Sequence, residues 1–234
     1  MALYDVGIVG CWYWGNYGSL LNGYATFSLV KEIGLKPLNI VTPYNGFEPH
    51  AKRFFEAVYE KDDISECLPF ERVNEFNDKC NSFITGSDQI WHNHPDRDEK
   101  ARKYDYFFHL DFVKDDRKKI SFATSYGNLI PETDDYYIKI RKLLNRYDAI
   151  SLREKSGVDY IKKYYGVNAT HVIEPVLIAS KKIWENLIEK SELTLEEDYI
   201  FSYILDPSEK KRQLIKNFSN KTGSKSINAL DGFS

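Results

Sequence analysis

Short apolar runs of β character alternate with helical patterns along almost the whole chain, and this constrains the fold more than any other feature. Strands are expected at Asp5–Gly10, Leu38–Val41, Ser82–Thr85, Lys119–Thr124, Asp148–Leu152 and His171–Ile173. Helices are expected between them at Ser19–Ile33, Pro49–Tyr59, Pro69–Asn81, Thr133–Arg146 and Ser156–Tyr165. Gly34 stands where the first helix would end, and Pro49 and Pro69 suit first turns. Such alternation predicts an α/β fold: a mostly parallel, Rossmann-like sheet with helices on both faces. Right-handed crossovers place every strand's carboxyl end on one edge, where open sheets bind ligands.

The pattern divides the 234 residues into three parts. Residues 1–178 read as an N-terminal Rossmann-like domain, and 179–197 as a connecting helix and linker around Ile183–Lys190. Residues 198–234 hold a strand at Asp198–Leu205, a helix at Pro207–Asn220 and a further strand at Ser226–Leu230. Two strands and a helix bury little core, so this part is expected to be the incomplete opening of a second α/β domain.

The residues after the strands are unlike ordinary turns. After the first come Trp12, Tyr13, Trp14, Asn16, Tyr17, Gly18 and Ser19, and after the third Gly86-Ser87-Asp88-Gln89-Ile90-Trp91. Later strands are followed by Ser125-Tyr126-Gly127-Asn128, by Arg153-Glu154-Lys155-Ser156 and by Glu174-Pro175. The carboxyl-edge rule brings these loops together. Gly15-Asn16-Tyr17-Gly18 opens a helix and suits an anion, yet matches neither nucleotide fingerprint; a glycine-relaxed turn with a polar cap explains it equally. The Gly86–Trp91 string can hold a polyol and supply an acid or base, or be a cap-and-turn cluster. Arg153 can clamp a carboxylate or phosphate, or pair with a neighbouring Glu.

Other signals exclude classes of function. Net charge is −3 and pI near 6.0, which argues against nucleic acid as a partner. No apolar run reaches membrane-spanning length, and the start, MALYDVGIVG, reads as a mature cytosolic N-terminus. Cys11, Cys67 and Cys80 lack C-x-x-C spacing and read as free thiols in a reducing compartment. His92-Asn93-His94 lacks a third ligand at a usual spacing, so no metal site is expected. Asp96-Arg97-Asp98-Glu99-Lys100 reads as a solvated mixed-charge loop. Aromatic residues make up 15% of the chain, enough both to fill a Tyr-rich core and to line a carbohydrate site.

Taken in order, five stretches closely resemble the polysaccharide pyruvyl transferase family. They are Asn16-Tyr17-Gly18 with Leu21 and Tyr24-Ala25, Gly86-Ser87-Asp88-Gln89-Ile90-Trp91, Ser125-Tyr126-Gly127, Ile150-Ser151-Leu152-Arg153-Glu154 with Gly157, and Glu174-Pro175-Val176-Leu177. The resemblance spans roughly residues 5 to 205. It implies a GT-B-like architecture of two domains, the second one truncated here, with the site in the cleft between them. It also implies transfer of pyruvate from phosphoenolpyruvate to sugar hydroxyls of a bacterial-type cell-surface polysaccharide or its precursor. The expected location is the cytoplasm, with peripheral membrane contact where the acceptor is lipid-linked, and no cofactor is expected besides the donor substrate.

On this reading Asp88 is the catalytic base or an acceptor ligand, Ser87 and Gln89 position sugar hydroxyls, and Ser125 is a substrate-binding residue. Trp14 and Trp91 stack on the sugar, while Asn16, Tyr17 and Gly18, with Arg153, hold the anionic donor. The family usually reads Asp-Pro-Thr where this chain has Glu174-Pro175-Val176, and its second-domain Ser-Phe-His-like motif is not reached. A conventional GT-B sugar-nucleotide transferase, a non-catalytic glycan-binding domain and a purely structural α/β domain, in which the aromatic turn at Trp12–Tyr17 packs inward, are the alternatives.

Overall fold

The computed structural model describes residues 3–12, 16–42, 49–92, 97–127, 134–191, 198–204 and 206–229. Its elements run β1 (Tyr4–Val9), α1 (Tyr17–Glu32), β2 (Pro37–Ile40), α2 (Pro49–Val58), α3 (Phe76–Lys79), β3 (Cys80–Thr85), α4 (Glu99–Phe108), β4 (Lys118–Thr124), α5 (Asp134–Leu144), β5 (Ala149–Leu152), α6 (Lys155–Tyr165), β6 (Thr170–His171), α7 (Pro175–Ile178), α8 (Lys181–Ile188), β7 (Tyr199–Tyr203), α9 (Glu209–Thr222) and β8 (Lys225–Ala229).

The first six strands form one sheet, ordered β2-β1-β3-β4-β5-β6, with every neighbouring pair parallel. Chain order reverses between β1 and β3, the point at which a doubly wound sheet opens a crevice at its carboxyl edge. Period-two alternation sends side chains to two cores. Val6 and Ile8 of β1 join Leu20, Phe27 and Val30 of α1 and Phe55 of α2 on one face. Val9 of β1 and Phe83 of β3 face the other, against Phe107 of α4, Ile140 and Leu144 of α5 and Ile161 of α6. Helices therefore cover both faces, as the α/β reading expects. Ile183 of α8 is buried in the first core, so the connecting helix packs on the first unit.

The remaining strands, β7 and β8, form a separate two-stranded parallel sheet with α9 as the crossover. Phe201 of β7 and Leu214 and Phe218 of α9 are exposed.

Two expectations are corrected. The helix expected at Pro69–Asn81 is reduced to a 3-10 turn at Val73–Glu75 and the four-residue α3. Buried Asn77 explains the break: its amide donates to the carbonyls of Asn74 (2.7 Å) and Phe112 (3.0 Å), and it accepts from the Lys114 amide at 2.8 Å. Those bonds tie the segment to a distant turn, and Cys80 is drawn into register with Tyr4 of β1. The mixed-charge run expected to be a solvated loop leads instead into α4. Asp98 caps that helix, accepting from the Ala101 amide at 2.8 Å, while Arg97 and Arg102 pair with Asp105, which is buried.

Candidate active site

Backbone bonds lace the carboxyl ends of the strands together. The Gly86 amide donates to the Val9 carbonyl, joining β1 to β3. The Ser125 amide donates to the Ser87 carbonyl, and the Trp91 amide returns to the Ser125 carbonyl, zipping the β3 and β4 loops. The Arg153 amide donates to Thr124 at the end of β4. Gly86 is required here, because a Cβ would lie 2.1 Å from the Phe122 carbonyl oxygen. Gln89 adopts a left-handed φ of 49°, and its side chain lies where a Cβ at Gly127 would be 2.8 Å away.

Arg153 stands at the centre of this edge. Its Nη2 donates to Asp88 of the β3 loop, its Nε to Glu154 (2.9 Å), and its Nη1 pairs with Glu174 after β6 (3.2 Å). Glu174 also accepts from the side chain of Asn22, a buried residue of α1, at 3.1 Å. His171 Nε2 lies 3.1 Å from the Arg153 carbonyl oxygen. Burial works against the guanidinium's charge, but the Glu154 hydrogen bond and the charges of Asp88 and Glu174 outweigh it and raise the Arg153 pKa. Three carboxylates surround one cation, so the cluster carries a surplus of negative charge. Among the described residues, one N–H on each terminal nitrogen of Arg153 is left without a partner. Burial first, and then the charge of Asp88, push the nearby Cys11 thiol up to about 12, which leaves it protonated and unreactive at neutral pH.

The other expected residues divide. Asn16 is exposed and caps α1, its side chain accepting from the Ser19 amide at 3.2 Å; Tyr17 and Gly18 form the first turn of that helix. Ser87 is buried, and its hydroxyl has no hydrogen-bond partner among the described residues. Gln89 is exposed. Trp14 and the neighbouring Tyr13 and Gly15 lie outside the described residues, as do Asn128, Asn93 and His94. Trp12 is packed inward with its ring over Gly23 of α1, where a Cβ would lie 2.9 Å from Trp12 Cε3.

Two assignments are corrected. Trp91 is 1% exposed, stacks on His109 at 4.8 Å between centroids, and donates from Nε1 to the Phe108 carbonyl. It offers no face to a sugar. Ser125 is fully buried, and its hydroxyl accepts from the Gly127 amide at 3.1 Å, so it shapes the loop. Conversely, Glu174 and Asn22 were not singled out as site residues. Glu174 could have been found from its position after a strand end, whereas Asn22 sits mid-helix with no local signal.

Among the described residues, no cluster of His, Cys, Asp and Glu is placed to hold a metal ion. Among them too, no helix is long and apolar enough to cross a membrane. A groove of about 860 Å³ runs along α4, lined by Phe70, Arg102, Tyr106 and Lys139 among others, and includes none of the residues expected at the site.

No curated protein matches the chain. The family pattern described as polysaccharide pyruvyl transferase matches it over residues 16–233, from α1 through the β7-α9-β8 unit, with β1 lying before the match. With that match covering nearly all of its length, the chain belongs to the polysaccharide pyruvyl transferase family.

Proposed function

We propose that this chain transfers pyruvate from phosphoenolpyruvate to hydroxyl groups of a cell-surface polysaccharide or its precursor, with Asp88 as the base. The observation that carries the reading is the Arg153 cluster, in which Asp88, Glu154 and Glu174 meet from three loops at the carboxyl edge. Surplus negative charge suits removal of a proton from a neutral sugar hydroxyl. Arg153 fixes Asp88 while keeping an N–H on each terminal nitrogen for an incoming anion. The first turn of α1, with Asn16, Tyr17 and Gly18, supplies amides and the positive end of a helix dipole for the donor's phosphate and carboxylate.

In the reaction, a proton from solvent adds to the donor's methylene carbon and makes C2 oxocarbenium-like. A sugar hydroxyl forms the new C–O bond at C2 and yields its proton to Asp88, which returns it to solvent; the C2–O bond to phosphate breaks. A second hydroxyl bonds to C2 and closes the ketal, its proton leaving on the released phosphate. Gln89 orients the acceptor, and Trp14 supplies a stacking surface. No cofactor is needed, and a phosphoenolpyruvate donor suits the cytoplasm. On this reading the β7-α9-β8 unit belongs to the second half of a GT-B-like architecture.

Release of inorganic phosphate on mixing protein, phosphoenolpyruvate and an oligosaccharide acceptor tests the reading. Phosphate release that depends on both substrates is expected. Turnover of a nucleotide diphosphate sugar instead would overturn it in favour of glycosyl transfer, and saturable sugar binding without phosphate release would reduce the chain to a glycan-binding module.

A further inference from the structure

Asn22 is the sixth residue of α1 and is only 2% exposed. A helix has no need of an amide buried in its middle: the group gives up water, and an apolar side chain would fill the space with nothing left to satisfy. The Asn22 side chain donates to Oε1 of Glu174 at 3.1 Å, across the contact between α1 and α7. Glu174 turns its other oxygen to Arg153 Nη1 at 3.2 Å, and Arg153 donates from Nη2 to Asp88. Asn22 is the buried end of this chain, and the three charged groups beyond it are partly accessible. It is also the member that stands on α1, five residues and so roughly 7.5 Å along the axis from Tyr17.

We infer that Asn22 is a positioning residue: by fixing Glu174 it holds the Arg153 guanidinium, and through it Asp88, in register with the first turn of α1. The inference rests on the reading above, in which that turn holds the donor and Asp88 takes the proton. Those two parts come from different loops, and a misplacement of about 1 Å between reacting groups costs on the order of a hundredfold in rate. A buried amide on a helix moves only with the helix, so it passes the position of α1 on to Glu174. Without that amide, Glu174 keeps Arg153 but loses its anchor on α1, and the guanidinium is free to follow Glu174 away from Asp88.

Two measurements test it. The first needs no substrate: rotation about the Arg153 Nε–Cζ bond, read by NMR from exchange between its two Nη signals in protein carrying isotopically labelled arginine, with the signals assigned by their loss in Arg153→Lys. Slow rotation is expected in wild type, where both Nη groups are held, and rotation about tenfold faster in Asn22→Leu. Asn22→Ala, which also removes the amide and is a good helix former, should do the same and decides the matter where the leucine variant does not fold. Unchanged rotation in a folded variant would overturn the inference. Second, Asn22→Leu should lower kcat for pyruvyl transfer about tenfold while KM for phosphoenolpyruvate stays within about twofold. In a Glu174→Gln background the same substitution should add little, because the link it breaks is already broken. An equal loss in both backgrounds, or a raised donor KM with kcat unchanged, would overturn the inference and leave Asn22 a packing residue of α1. Wild-type protein that does not consume phosphoenolpyruvate would defeat the functional reading instead, while the arginine rotation still decides whether Asn22 holds Arg153.

Discussion

The turn Gly86–Trp91 feeds two regions that differ in almost every physical respect. On its core side, Trp91, His109, Tyr126 and Tyr147 form an aromatic knot, the first three buried and Tyr147 at its partly exposed rim. On its outer side, Asp88 joins Arg153, Glu154 and Glu174, all partly accessible. The knot handles its polar groups by neutralising them. Burial drives the His109 pKa down to about 3, and the neutral ring donates from Nδ1 to the Asp105 carbonyl at 2.7 Å. The cluster keeps its charges by pairing them, with the Arg153 pKa raised by its carboxylate neighbours against the pull of burial. One hexapeptide thus anchors the core and contributes to the charged cluster, and a change on either side should be read by a different instrument.

The largest expected effect on folding comes from the knot. Trp91→Ala removes a side chain that is 1% exposed and should cost about 3–5 kcal/mol, visible as a lower urea midpoint. A midpoint like that of the wild type would mean that the knot does not brace the turn. On the other side, Arg153→Gln should lower kcat/KM for pyruvyl transfer about 10²–10³-fold while moving the midpoint far less than Trp91→Ala. If it instead unfolds the protein and leaves the residual folded fraction fully active, the cluster is structural and the contrast fails.

A smaller effect sharpens the contrast through pH. The folded pKa of His109, about 3, lies below its ordinary value near 6.5. Between those values the unfolded chain takes up a proton that the folded one does not. Stability from this group is therefore complete above about pH 6.5 and declines as pH falls, by roughly 1 kcal/mol per unit. Denaturant titrations between pH 6.5 and 5, above most carboxylate titration, should show this slope in wild type and lose it in His109→Gln. An equal slope in both would show that His109 is not buried in the neutral form.

Much of the architecture was legible because it depends on local pattern. Val6 and Ile8 alternate with Gly7 and Val9, and that alternation alone announces a strand buried on two faces. Asn16 caps its helix as short polar residues do, and Arg153 and Asp88 share an edge because parallel strands end together. What escaped depends on contacts distant in sequence. Asn77 stops a helix by bonding a carbonyl 35 residues away, which no local propensity records. Trp91 looked like a sugar platform because a tryptophan after a strand end can face either way; only His109 and Phe108, from a helix that the charge run concealed, decide that it faces inward. Asn22 reaches Glu174 across 152 residues, so its role shows only once α1 and α7 are in contact.

The central claim is that Asp88, held by Arg153, removes the proton from the attacking hydroxyl. Steady-state phosphate release by Asp88→Asn, compared with wild type at matched urea midpoints, tests it most directly. The account predicts a kcat lower by about two to four orders of magnitude with the fold intact. An unchanged kcat in the folded variant would contradict it.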